Sequence, residues 1–380
     1  MSEYQYYEFM AIDKPLSKED KTEIGSWSSR TNPSNTGAIF TYSYGSFPKD
    51  VITVTEKYFD AMFSVSNWGT TRLIFKFPTS LLTTNRIRQY CSENGLEIIK
   101  KSDFILLDIG YSEEEGGGNW IEGEGWLSSI ISLRNDIINK DYRCLYLIWL
   151  KDAISSFESD LGDSNSDDYE PQVPDGLNDL NDALQDFVDI FQINKDYITA
   201  AAENSKPQNP DRQIDLATYL DQLSENERRE FLVRLLNDEP LLHIKLKSRL
   251  KEFLDTNETS MKDAPRRTIE EIMQKVEEIR EQRINREQKE REEKQLKKLR
   301  TIEGQEFESW TKVQQLISEK TPKAYDQAIL LLQDLKELSI YKNRFNDFCE
   351  KIELIKEKYS RLSGLTSRIK DAKLIKLPLI

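Results

Sequence analysis

The chain has 380 residues, 53 of them basic and 67 acidic, for a net charge of −14. That length allows two or three domains with at least one sizeable core, and the acidic excess argues against a general binder of polyanions. Cys91, Cys144 and Cys349 are too few and too widely spaced for a disulfide framework or a zinc ribbon, so a reduced cytoplasm is the expected setting.

The opening residues are acidic and aromatic where a secretory signal is basic and then apolar, so no export is expected. Residues 5–12 read as a strand ended by Asp13, Lys14 and Pro15, and a helix follows over 17–29, with Ser17 as N-cap and Asp20 three residues on. The pattern then gives a strand over 38–44, a helix over 50–59, and a hairpin of 61–66 with 72–77 around Asn67, Trp68 and Gly69. A helix over 80–93 and strands over 96–100 and 104–109 complete the series. Mixed strands and helices in so short a length predict an α+β layer.

Residues 113–125 form an acidic, glycine-rich loop around Trp120. Beyond it, the apolar spacing from Trp126 to Ile154 predicts two helices capping the sheet, which closes an α+β domain at 1–158. Between 152 and 194 there is no Lys or Arg and there are 12 acidic residues, so 159–176 is expected to be a flexible acidic linker. The longest unbroken apolar run, 144–150, has 7 residues, whereas a membrane span needs about 20, so no membrane partner is expected.

Residues 177–265 show helical periodicity and read as a small all-α region, with Ser224 and Glu227 forming a capping box ahead of Phe231, Leu232, Leu235 and Leu236. From 266 to 300 the chain carries 12 basic and 9 acidic residues, opening on an apolar seam at Ile269, Ile272 or Met273, Val276 and Ile279. That seam fades into Arg283, Arg286, Glu290 and Glu293. A short coiled coil or, in preference, a single charged helix acting as spacer is expected, about 50 Å long for 35 residues. Residues 301–380 read as a helical hairpin, with some likeness to tetratricopeptide units, and a basic tail.

No catalytic constellation is legible. His243 is the only histidine, and Asp108, Glu113, Glu114, Glu115, Glu122 and Glu124 match no calcium loop, so no catalytic residue, metal or cofactor is assigned. The glycines at 116–118 are flanked by acids and lack the lysine of a phosphate-cradling loop. Tyr4, Tyr6, Tyr7 and Phe9 could stack on bases, but residues 1–265 carry 27 basic against 46 acidic side chains, a net of −19, which favours a core role. Candidate protein-docking residues are Trp68, Trp120, Trp126 and Tyr325. Candidate nucleic-acid contacts are Arg361, Arg368, Lys370, Lys373 and Lys376, within a segment, 266–380, that nets +5 from 26 basic and 21 acidic residues.

Three stretches carry a resemblance: residues 1–16, which begin Met-Ser-Glu-Tyr-Gln-Tyr-Tyr-Glu-Phe; Tyr58 to Ala61 with Asn67 to Leu73; and Trp120 to Leu127 followed by Arg143 to Leu147. Together they resemble a widespread, functionally uncharacterised bacterial protein family. The likeness extends more weakly through 267–271 and 325–332. It implies an interaction role beside SWIM-type zinc-finger proteins encoded nearby, and supplies no catalytic residues. The expectation is therefore a non-enzymatic bacterial adaptor of unknown oligomeric state. One alternative is a nucleic-acid-associated component that acts through a partner and its own basic end. The other is a carboxylate-dependent metal enzyme.

Overall fold

The structure, a computed structural model, describes residues 4–112, 123–159, 169–207, 216–237, 242–255 and 266–375. The chain divides into two compact units, Met1–Arg280 and Glu281–Ile380.

The first unit has the expected α+β architecture. Its strands are β1 (Gln5–Met10), β2 (Gly37–Tyr42), β3 (Ala61–Ser66), β4 (Thr70–Pro78), β5 (Leu96–Lys100) and β6 (Phe104–Ser112), in a sheet of order β2-β1-β3-β4-β6-β5 with every neighbouring pair antiparallel. Helices α1 (Lys18–Gly25) and α2 (Val51–Tyr58) follow β1 and β2. The Ser17–Asp20 capping box starts α1 and the Asp50 carboxylate caps α2, both short polar side chains that satisfy free helical N–H groups. At the β3–β4 turn Gly69 sits at φ +95°, a left-handed conformation that suits glycine.

Both faces of the sheet are covered. On one, Phe9, Phe40, Met62, Ile74 and Leu106 pack with Ile24 of α1, Val54 of α2, Phe47 and Phe59. On the other, Tyr6, Phe63, Phe75, Leu107 and Ile109 pack beneath α3 (Trp126–Ile130), α4 (Leu133–Ile138), α5 (Arg143–Ser159), α6 (Asp182–Ile190) and α7 (Lys195–Ala202). The aromatic side chains of β1 are therefore core rather than a stacking platform for bases: Tyr6 and Phe9 are buried, and Phe9 lies 5.1 Å from Phe59.

Several expectations are corrected. Residues 80–93 form turns and a single 3-10 turn at Arg88–Tyr90 instead of an α-helix. Thr83 and Thr84 disfavour helix, and Leu81, Leu82, Ile87 and Tyr90 are drawn separately into the core. Three helices, not two, follow Trp126: the first expected run is interrupted by a turn at Ile131 and Ser132 between α3 and α4, while Lys140 at φ 69° marks the break between α4 and α5. Residues 169–176, placed in the linker by composition, are anchored. Tyr169 bridges Thr268, and Glu170, almost fully buried, receives Arg267 at 2.8 and 2.9 Å and the Tyr146 hydroxyl at 2.5 Å. The Arg267 guanidinium also donates to the Ala200 carbonyl. A fixed charge partner 97 residues away outweighs the local polar composition. The remainder of that linker, 160–168, and residues 113–122 of the 113–125 glycine-rich loop lie outside the described residues.

The supposed all-α region is also split. Leu177, Leu184, Phe187 and Ile198 belong to the sheet's own core. Only the short helical segment Leu216–Gln222, α8 (Glu225–Leu236) and α9 (Leu242–Asp255) lie apart from it, around Leu223, Leu242 and Leu250. Then α10 runs Ile269–Gly304, opened by a Thr268–Glu271 capping box. Its first apolar stripe, Ile269, Ile272 and Val276, is buried in the first unit's core instead of in a coiled-coil seam. From Glu281 to Lys298 no residue is buried, and pairs such as Arg283–Glu287 at 3.3 Å sit at helical spacing.

The second unit begins within α10 and adds α11 (Glu306–Ser318), α12 (Pro322–Tyr341), α13 (Phe345–Lys358) and α14 (Ser363–Asp371). Val313, Ile317, Ala328, Leu332, Phe348 and Ile352 form its core. The basic tail is packed as far as it is described, to Ile375. Leu365, Ile369 and Leu374 are buried, so much of it folds as α14 with its apolar side in the bundle. Phe307 on α11 is 83% exposed. Among the described residues no helix is long and apolar enough to cross a membrane.

Candidate docking surfaces

The residues singled out by sequence do not converge. Trp68 occupies the tip of the β3–β4 turn and is partly exposed, with Asn67 exchanging hydrogen bonds with Tyr4 beside it. Trp126 is half-buried at the start of α3, stacked on Phe63 with 6.3 Å between ring centroids. Tyr325 is buried in the second unit's core, which removes it as a docking residue; its position on the first turn of α12, two residues after Lys323, gave no hint of burial. Trp120 lies outside the described residues.

Among the basic candidates, Arg361, Lys370 and Lys373 are exposed, whereas Arg368 is committed to Asp326 at 2.6 Å and to the Gly364 carbonyl. Lys376 lies outside the described residues. Of the clustered carboxylates, Asp108 is engaged by Arg72 through two bonds of 2.9 and 2.6 Å, Glu124 is exposed, and Glu113, Glu114, Glu115 and Glu122 lie outside the described residues. Among the described residues no three His, Cys, Asp or Glu side chains could hold a metal ion together. His243 falls within α9.

The surface that stands out is α8. None of its 12 residues is buried, yet Leu232, Val233, Leu235 and Leu236 present aliphatic side chains to solvent, Leu236 at 83% exposure. A helix this short is marginal on its own, and exposed aliphatic clusters are uncommon on a closed surface. Among the described residues the contacts that anchor α8 are on its polar side. Ser224 accepts from the Glu227 amide at 3.2 Å, while the Glu227 carboxylate takes the Ser224 amide at 2.9 Å and Arg249 of α9 at 2.8 and 3.1 Å. The Ser224 backbone donor first, then the Arg249 guanidinium, depresses the Glu227 pKa to about 2. Arg228 adds a pair to Asp221 at 3.5 Å.

The capping box was legible in the sequence. The outward direction of the leucines was not, because Phe231, Leu232, Leu235 and Leu236 read as an ordinary core-facing pattern. One signal was available: Val233 beside Leu232, and Leu236 beside Leu235, widen the apolar arc beyond what a single seam requires.

Comparison with known proteins leaves this geometry to stand by itself: no family model, curated protein or solved structure matches the chain.

Proposed function

We propose that the chain is a non-enzymatic interaction protein of adaptor type, working in the bacterial cytoplasm, and that α8 is its docking element for an amphipathic helix of a protein partner. The observation that carries this reading is the solvent-facing aliphatic stripe Leu232, Val233, Leu235 and Leu236 on a helix that, among the described residues, is anchored through Ser224, Glu227 and Arg249. Burying a leucine side chain contributes about 1.5–3 kcal/mol, so pairing this stripe with a second apolar helix face supplies a substantial driving force. Arg229 and Glu230 lie on the same helix, with Arg234 beside Glu230 at 3.6 Å, and they offer charges of both signs for orienting a partner. The three cysteines are free thiols, which suits a reduced compartment. The resemblance to a bacterial family with SWIM-type zinc-finger neighbours makes such a protein the first partner to try.

The test is co-purification of the full chain from a host carrying the neighbouring genes, followed by hydrogen exchange on the complex. Slowed exchange across 225–236, and loss of the complex in a Leu232→Ser/Leu236→Ser double variant that folds normally, are the expected results. A complex that leaves those amides unchanged removes the reading. The rival, nucleic-acid association through a partner, draws on the exposed Arg361, Lys370 and Lys373 of a unit whose 22 basic and 17 acidic residues net +5. Gel shifts that weaken steeply with salt would favour it.

A further inference from the structure

The sheet has two edges, and the chain treats them differently. In the β1–β2 ladder Ala11 donates to Thr36, so by the alternation of an antiparallel pair Gly37, Ile39 and Thr41 turn their backbone groups outward. That edge is blunted: the Gly37 carbonyl receives Ser34, and the Ile39 carbonyl receives the Thr31 hydroxyl at 2.9 Å.

At the other edge Gly95 and Lys101 bond inward to Gly110 and Phe104, which turns the N–H and C=O groups of Leu96, Ile98 and Lys100 outward. Ser92 takes the Leu96 carbonyl at 3.4 Å. Ile98 and Lys100 face an open groove of about 680 Å³ bordered by Arg88, Cys91, Ser92 and Glu93. Unpaired strand edges are templates for another strand.

We propose that β5 pairs antiparallel with β5 of a second copy of this chain, about a twofold axis through Ile99. Two features select that occupant and that register. Setting Ile98 opposite Lys100 of the other copy, and the reverse, uses all four outward groups of these two residues and leaves the Leu96 carbonyl with Ser92. The same register sets Glu97 directly opposite Lys101 of the second copy, twice by symmetry, and Ile99 opposite itself. Glu97 and Lys101 are exposed and of opposite sign, and Ile99 is half-buried. The edge is negative at its start and positive at its end, which is self-complementary only when the copy runs antiparallel. The two sheets become one of twelve strands.

Sedimentation equilibrium of the full chain tests this, at physiological ionic strength, where screening limits repulsion between two chains of charge −14. A monomer–dimer equilibrium is expected. Glu97→Lys turns two attractive pairs into repulsive ones and weakens the dimer by about tenfold, and Glu97→Lys/Lys101→Glu restores it. In a Cys91→Ser background, Ile99→Cys forms a cross-linked dimer on mild oxidation, because facing residues at that register lie about 4.5 Å apart between Cα atoms. Ile98→Cys, which faces Lys100, cross-links far less. A chain that stays monomeric at all concentrations, as it would if the edge served an extended segment of a different protein, overturns the proposal. So does a dimer indifferent to the charge swap, or equal cross-linking at 98 and 99.

Discussion

Helices α5 and α8 treat their apolar residues in opposite ways. Of the 17 residues of α5, 11 are buried, including Arg143, Lys151 and Asp152. Each of those charges has partners. Arg143 binds Asp141 and the carbonyls of Gly176 and Asp179, Lys151 donates to the Phe191 carbonyl at 2.6 Å, and Asp152 accepts from the Asn94 amide. In α8 nothing is buried and four aliphatic residues face water. The difference teaches that α5 partners even its buried charges, so the open leucines of α8 are a local property of that helix.

The largest effect that can break this contrast is expected at the buried ion pairs. Arg134, with its side chain 2% exposed, holds Asp13 by two bonds and also donates to the Lys76 carbonyl. Removing one member of such a pair strands a buried charge, so Arg134→Ala or Arg267→Ala should lower the stability of the first unit by about 3–5 kcal/mol in urea denaturation. A loss under about 1 kcal/mol would show that these sites are wetter than their geometry.

Within α10 the contrast sharpens along one helix. Ile272 is fully buried and Ile284 about half exposed. Ile272→Ala should cost about 2–5 kcal/mol and Ile284→Ala no more than about 0.5. Equal costs would contradict the assignment of the first stripe to the core. Leu236→Ser should likewise change stability by no more than about 0.5 kcal/mol while abolishing partner capture, a separation that a core leucine could not give.

A smaller effect comes from pH. Because the folded Glu227 pKa is depressed to about 2 from an ordinary value near 4.3, its contribution is present above that ordinary value and is lost as pH falls through the folded one. Local exchange in α8 should therefore rise between about pH 4 and pH 2, and Glu227→Gln should flatten that dependence. An unchanged profile in the variant would place the titrating group elsewhere.

Much of the sheet was legible because β-branched and aromatic residues at period two, the Asn67-Trp68-Gly69 turn and the Ser17 cap all point the same way. What sequence could not supply is direction and distance. Composition over 159–176 is that of a linker, yet Glu170 is held by Arg267 from far along the chain. Basic residues after Arg361 suggest a free tail, yet Leu365, Ile369 and Leu374 pull it into the bundle. The α8 leucines resemble those of any core helix, and only burial separates them.

Hydrogen exchange resolved to α5 and α8, on the dilute chain alone and in its native complex, tests the account most directly. The prediction is strong protection of α5 in both states, with α8 exchanging freely alone and slowly when bound. Protection of α8 equal to that of α5 in the isolated chain, or no change at α8 on complex formation, would contradict it.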